Sequence, residues 1–298
     1  MISIGQVVGG YKVRSLLQTG NASQVFEVSE PNSGRHFAMK ILLPEMAGDS
    51  RQRRLLFNEA EIGTKLRHEN VVNIVKVNRS PDTPHFVMEF FPSGGIRKRL
   101  QSKDPKDKEF LAQYAKTIFK QAATGLAYMN ASGYLHLDVK PDNILVNATG
   151  QTKIIDFAIS KKSGGGGFLA RLFRKRGNPE GTASYMSPEQ IRGLPLDARS
   201  DIYSFGVTMY EVACGRPPFR GNSISDLLRK HLAEKATPVT AYNPDVTDDY
   251  SALLLKLLAK KKEDRPKTFH EVLMEARKVK FFKSIPDTPD DDHGGMMM

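Results

Sequence analysis

The 298-residue sequence predicts an α+β fold in two lobes: a small N-terminal lobe of antiparallel strands plus one helix, and a larger, mainly helical lobe after it. Three observations point there. The first ninety residues hold short runs rich in branched and aromatic side chains, broken by Gly, Pro, Asn and Ser. Beyond "FPSGG" the pattern changes to apolar residues at helical spacing. A short Pro/Gly segment joins the two, and clefts between such units are common small-molecule sites.

The elements follow in order. "YKVRSLL", "QVFEV", "HFAMKIL", "VVNIVKV" and "HFVMEF" read as strands. Between the third and fourth, "DSRQRRLLFNEAEIGTKLRH" reads as a helix opening on an acidic cap, Asp49. "EFLAQYAKTIFKQAATGLAYMNASG" carries Phe110, Leu111, Tyr114, Ile118, Phe119, Ala122, Leu126 and Met129 at helical period and stops at Gly133. Further helices are expected at 200–214, 224–234, 249–260 and 268–280. The glycine run "SGGGGF" is expected to be a flexible loop, and no internal repeat is present.

Composition is that of an ordinary globular protein, 40% hydrophobic and 26% charged. The single cysteine, Cys214, excludes an internal disulfide framework, fits a reducing compartment and reads as a small buried hydrophobe. No stretch has the uncharged apolar length of a membrane span, and the first residues do not read as a secretory signal, so a cytoplasmic protein is expected. Much of the net charge of +11 falls on Lys161, Lys162, Arg171, Arg174, Lys175 and Arg176, with no acid among them. The last residues, "PDTPDDDHGGMMM", are acidic and aperiodic, and are expected to be disordered.

The chemistry concentrates in "HLDVKPDN", residues 136–143. Asp138, Lys140 and Asn143 share one short loop, and Asp156 follows in "KIIDFA". An Asp and an Asn from neighbouring loops can hold magnesium, which favours sparse oxygen ligation completed by water and phosphates. A second Asp can accept a proton from a hydroxyl, and Lys140 can stabilise charge on a transferred group. Any one of these residues alone could equally be a loop Asx turn or a surface charge. Upstream, Gly20 in "LLQTGNASQV" would let a backbone turn approach a phosphate, "FAMK" puts Lys40 on the next strand, and Glu59 lies on the helix after it.

In this order the parts match the protein-kinase template. From about Tyr11 to Phe281 the chain resembles the eukaryotic-like (Hanks-type) serine/threonine protein kinases, most closely their bacterial branch. "GTASYMSPEQ" and "DARSDIYSFGVTMYEVACGRPPF" look like the end of that family's activation segment and its following helix, and "EDRP" like its late arginine motif. The resemblance implies the bilobal protein kinase fold: an extension at 1–10, a kinase domain at 11–281 with lobes 11–91 and 92–281 and an activation segment at 156–189, and an acidic tail at 282–298. It implies ATP with magnesium, or manganese in its place, as cofactors. Lys40 would hold the ATP phosphates and Glu59 would orient it. Leu17, Gly20, Val25 and Ala38 would cover the nucleotide, Leu145 would lie beneath the base, Met88 would be the gatekeeper, and Glu89 and Phe91 would offer hinge backbone groups. Asp138 would be the catalytic base, Lys140 would contact the γ-phosphate, and Asn143 and Asp156 would bind the metal. Lys140 with Thr182 is the serine/threonine pattern, and Glu189 with Arg265 would form a buried ion pair. Ser163, Thr182 and Ser184 are candidate phosphorylation sites.

Four departures stand out. Leu137 replaces the arginine that in the family pairs with an activation-loop phosphate; leucine can neither ion-pair nor donate a side-chain hydrogen bond, which points to altered regulation with intact chemistry. Ala158 stands where the family has glycine, and either disfavours an inactive flip or distorts the metal aspartate. The nucleotide loop keeps only Gly20, flanked by Gln18 and Ser23. Gly63 takes an apolar spine position, as a weakly packed helix or a switch, at a helix cost of about 1 kcal/mol relative to alanine. The basic segment "SGGGGFLARLFRKRGNPE" reads as a solvated loop, or as a dock for an acidic partner or anionic surface; the chain shows no nucleic-acid-binding fold beyond it.

The expected function is therefore ATP-dependent phosphorylation of protein serine and threonine hydroxyls, with autophosphorylation and without strong dependence on activation-loop phosphate. The alternative is a catalytically weak pseudokinase acting as a nucleotide-binding scaffold. A small-molecule kinase is disfavoured because the segment from Asp156 to Glu189 resembles a peptide-substrate platform. Substrate, upstream signal and oligomeric state are not legible.

Overall fold

The structure, a computed structural model, describes residues 2–92, 94–156, 161–162 and 182–286. Its N-terminal lobe is a six-stranded antiparallel sheet in the order β1-β2-β3-β4-β6-β5, built from β1 (Val7–Val8), β2 (Tyr11–Thr19), β3 (Ser23–Ser29), β4 (His36–Leu42), β5 (Ile74–Asn78) and β6 (His85–Glu89). The sheet starts earlier than the sequence pattern suggests. Gly9 and Gly10, with φ of 57° and 90°, turn the chain so that Val8 pairs with Tyr11. The first helix, α1 (Ser50–Lys65), is capped by the Asp49 carboxylate, which accepts from the Arg51 and Gln52 amides. It runs unbroken through the buried Gly63.

Strand alternation decides which way Lys40 points. Met39 and Ile41 pack with Phe26, Val28 and Val87 on the outer face of the sheet. Lys40 therefore faces inward, with Leu42 and Phe86, toward α1. Register places Val25 and Phe86 opposite Lys40, and Met88 opposite Ala38.

The C-terminal lobe follows β7 (Gly94–Gly95) and α2 (Ile96–Gln101). Its spine is α3 (Pro105–Ala131). That helix begins five residues before the apolar period, because Asp104 caps it with Pro105 at the first position and the charged first turn carries no hydrophobic signal. Two short antiparallel strand pairs carry the loops of interest: β9 (Ile144–Val146) pairs with β10 (Thr152–Ile154), and β8 (Tyr134–Leu135) with β11 (Lys161–Lys162). Then come α4 (Pro188–Arg192), α5 (Ala198–Cys214), α6 (Ile224–Ala233), α7 (Asp248–Leu257) and α8 (Phe269–Arg277).

Every residue of α5 from Ser200 to Ala213 is buried, as befits a helix walled in on all sides. A side chain at Gly206 would place its Cβ 2.7 Å from Leu257 Cβ, so glycine there sets the approach of α5 to α7. Phe119 of α3 packs edge-on to Phe205 and Phe281, and Phe281 stacks on Tyr250 at 3.7 Å. Burying each such ring contributes roughly 1.5–3 kcal/mol. Just after Phe281 the chain stays attached to the lobe: Phe282 is buried and bridges to Val246, and the Ser284 hydroxyl donates to Asp245 at 2.6 Å. Among the described residues, no helix is long and apolar enough to cross a membrane.

Candidate active site

Between the lobes lies a cavity of about 130 Å³. Gln18, Gly20, Ser23 and Val25 form its roof, Lys40 and Glu59 one wall, and Asn143 and Asp156 the opposite wall. The roof turn closes through the Gly20 amide donating to the Ser23 carbonyl at 2.8 Å. The Lys40 ammonium donates to both Glu59 oxygens, at 2.8 and 2.7 Å, and lies 3.5 Å from Asp156 Oδ1. Glu59 is buried, so the ion pair is sheltered from water.

On the C-terminal side of the cleft, Lys140 Nζ lies 3.1 and 2.9 Å from the two Asp138 oxygens and 3.2 Å from Thr182 Oγ1. Asn143 donates its amide to the Asp138 carbonyl at 2.8 Å and to Asp138 Oδ2 at 3.2 Å. With the nitrogen so committed, the Asn143 carbonyl oxygen is the atom it can offer a cation. Asn143 thus belongs both to the cavity wall and to the Asp138 group, joining the two clusters into one site.

The loop itself is held from below. His136 Nδ1 accepts from the Asp138 amide at 3.2 Å, so its proton sits on Nε2 and is donated to the Ile155 carbonyl at 3.0 Å. Asp201, at the start of the buried α5, accepts from the His136 and Leu137 amides at 2.9 and 2.7 Å. Burial pushes the Asp201 carboxyl up, and those amide hydrogen bonds oppose that shift. Leu137 and Asp156 both have left-handed backbones, with φ of 65° and 67°. Such conformations cost of order 1–3 kcal/mol for side-chain-bearing residues and persist where surroundings over-determine them.

Leu137 is 2% exposed and clusters with Leu135 and Met186, against Ile191, Leu196 and Leu228. Its carbonyl accepts from Gln190 at 3.0 Å. Leu137 is therefore an apolar contact between the loop and the chain around α4. Further along, Arg265 pairs with Glu189 through two bonds of 2.8 and 3.0 Å, and Ser200 donates to the same carboxylate. Burial alone would raise the Glu189 pKa, but the Arg265 pairing holds it below the usual range.

Several sequence expectations fall outside the cavity lining. Leu17 is 47% exposed on the roof strand, and Ala38, Glu89, Phe91 and Leu145 do not line the cavity. The Glu89 carboxylate turns to Lys153, at 2.8 Å, and its amide is spent on the Asn73 carbonyl, leaving the Glu89 carbonyl as its one hinge group. Val72, Ile74, Phe86 and Ile155 complete the inner wall. Sequence reading missed them as site residues, although three lie in apolar runs already assigned to strands. Thr182 and Ser184 are both half-buried. Ala158, Ser163 and the basic segment 164–177 lie outside the described residues. Cys214 is half-buried, and burial pushes its thiol up to about 11, which agrees with an inert side chain.

A bilobal fold with a lysine–glutamate pair facing an Asp/Asn wall defines the protein kinase class. The chain matches the protein kinase domain family over residues 11–281, and it belongs to that family. It is 30% identical over 278 residues to a "Probable serine/threonine-protein kinase" of Clostridium acetobutylicum, covering 93% of this chain and 41% of that protein. It is 31% identical over 266 residues to the serine/threonine-protein kinase PknB of Mycobacterium tuberculosis, covering 88% and 41%. The chain thus spans about two-fifths of the length of these relatives. A crystal structure of the Mycobacterium tuberculosis PknI kinase domain shares the fold, with a TM-score of 0.67 at 22% identity, covering 93% of this chain and 98% of that one. These relatives place the chain among the bacterial Hanks-type kinases.

Proposed function

We propose that this chain transfers the γ-phosphoryl group of ATP to serine or threonine hydroxyls of proteins. The observation that carries the reading is the double membership of Asn143, which joins the cavity lined by Lys40, Glu59 and Asp156 to the Asp138–Lys140–Thr182 group. Lys40, oriented by Glu59, binds phosphate oxygens. Asp138, its carboxylate aimed by Lys140 and Asn143, accepts the proton of the incoming hydroxyl. The hydroxyl oxygen bonds to the γ-phosphorus as the bond to the bridging oxygen breaks, and ADP leaves. Lys140 stabilises the charge that develops on the transferred group.

The donor set fits magnesium, or manganese in its place. Asn143 and Asp156 present oxygen atoms from two loops on one wall, as hard cations prefer. A cation held there would neutralise charge on the β- and γ-phosphate oxygens.

We further infer that turnover does not depend strongly on activation-loop phosphate. The apolar Leu137 cluster, with Asp201 and Gln190 gripping the Leu137 backbone, supports this, because it braces the loop without an arginine–phosphate pair. Self-modification at Ser163, Thr182 or Ser184 belongs to the same reading. So does an acidic partner for the basic segment, whose deletion should then weaken capture of that partner.

The test is phosphate transfer from radiolabelled ATP with magnesium to a generic basic protein, with Asp138→Asn as control, followed by mapping of modified sites. Incorporation that Asp138→Asn abolishes supports the proposal. Nucleotide binding without any incorporation would establish the scaffold alternative.

A further inference from the structure

On the C-terminal lobe, away from the cleft, α3 and α8 enclose a second groove of about 190 Å³. Its floor is apolar: Phe119, Leu273, Ala276 and Phe281, with Met274 left 43% exposed at the edge. Its rim is cationic. Lys116 and Lys120 lie one turn apart on α3, and Arg277 faces them from the end of α8. Among the described lining residues there is no carboxylate. An apolar slot ringed by three cations suits a ligand that is acidic in one part and apolar in another.

The chain contains such a ligand. Residues 287–298 carry Asp287, Asp290, Asp291 and Asp292 with no Lys or Arg, then two glycines and Met296, Met297 and Met298. Methionine is unbranched and polarisable, and fills irregular apolar slots. The chain passes through the groove floor shortly before this segment. Phe281 forms part of the floor and is pinned by Tyr250, and Ser284 is tied to Asp245. Asp290 lies six positions past the anchored Ser284, a reach of up to about 20 Å, whereas the α3 rim from Lys116 to Thr124 is about 12 Å long.

We propose that residues 287–298 dock in cis into the α3–α8 groove, with the aspartates against Lys116, Lys120 and Arg277 and the methionines on the apolar floor. The occupied groove covers Leu273 and Met274 and clamps α8 to the helix that leads into the catalytic loop. This docking stands or falls independently of phosphate transfer.

Disulfide trapping in the full chain tests it. Met297→Cys is combined with Met274→Cys at the groove, or with Tyr242→Cys, a control of similar exposure (41% against 43%) that lies three residues from the Asp245 anchor. Cys214 stays silent at mildly alkaline pH because burial raises its thiol pKa. The expected result is an intramolecular disulfide to position 274 that forms about tenfold faster than to position 242, because docking raises the local concentration. That preference should vanish in Lys116→Glu/Lys120→Glu, and also in about 1 M salt, where the screening length is about 3 Å. Equal rates at the two positions would overturn the proposal. So would a preference that survives charge reversal, or disulfides formed mainly between two copies, which would make the occupant a second molecule.

Discussion

The Lys140 ammonium lies 3.2 Å from the Thr182 hydroxyl oxygen, joining the loop that carries Asp138 to a residue 42 positions later. A hydrogen bond to a charged group contributes about 1.5–3 kcal/mol, which corresponds to about 10–100-fold in rate if it holds the reacting geometry. Thr182→Val should lower kcat by that factor with little change in KM for ATP, and Thr182→Ser should restore most of it. Steady-state kinetics on the three proteins checks this, and an unchanged kcat in Thr182→Val would refute it.

Glu59 holds Lys40 through two bonds in a sheltered site. Glu59→Gln removes the charge that fixes the lysine and leaves Asp156 as its nearby carboxylate. Loss of a charge-assisted bond predicts a fall of about 10–100-fold in kcat/KM for ATP. A nucleotide titration alongside the kinetics separates lost binding from lost turnover.

Asp138 is buried and contacted by Lys140 and Asn143. Asp138→Asn keeps the shape and removes the proton acceptor, so kcat should fall by about 10³ or more, each tenfold step being about 1.4 kcal/mol of barrier. Thermal melting of the variant should stay close to the parent, which marks the loss as chemical.

Leu137 fills an apolar cluster between the loop and α4. Leu137→Ala should destabilise the protein by about 2–5 kcal/mol, as buried leucine truncations do. Phosphatase treatment of the parent protein should leave its turnover nearly unchanged. A large rise in activity on loop phosphorylation would contradict the role assigned to Leu137.

His231 is fully buried beside Tyr203, Phe219 and Lys260. Burial, aided by the Lys260 charge, pushes its pKa down from 6.5 to about 3. Between those two values the unfolded chain binds the proton and the folded one does not. This contribution is fully present above about pH 6.5 and is lost as pH falls, with a slope of up to about 1.4 kcal/mol per pH unit. Urea denaturation of the parent and His231→Gln across this range should show a shallower slope in the variant. Parallel slopes would refute the assignment.

Much of the molecule was legible beforehand because its signals are short-range. The alternation in "HFAMKIL" marked a strand and implied that Lys40 and Met39 face opposite ways. Asp49 announced the start of α1, and the apolar period of α3 announced its buried face. The ordered motifs around Asp138 and Asp156 pointed to the protein kinase family, to which the chain belongs. Where local signals were weak the reading fell short. The charged first turn of α3 has no apolar rhythm, and the strand at Val7–Val8 depends on a glycine turn and a neighbouring strand.

The sequence by itself determined the two lobes, the order of elements and the chemical character of the site, because each depends on neighbours a few residues apart. Tertiary structure alone decided that Leu137 serves an apolar contact, that Glu89 spends its amide on Asn73, that Val72 and Phe86 back the cavity, and that Lys116, Lys120 and Arg277 ring one groove. Those facts arise from packing between residues far apart along the chain, and no local pattern encodes which distant surfaces meet.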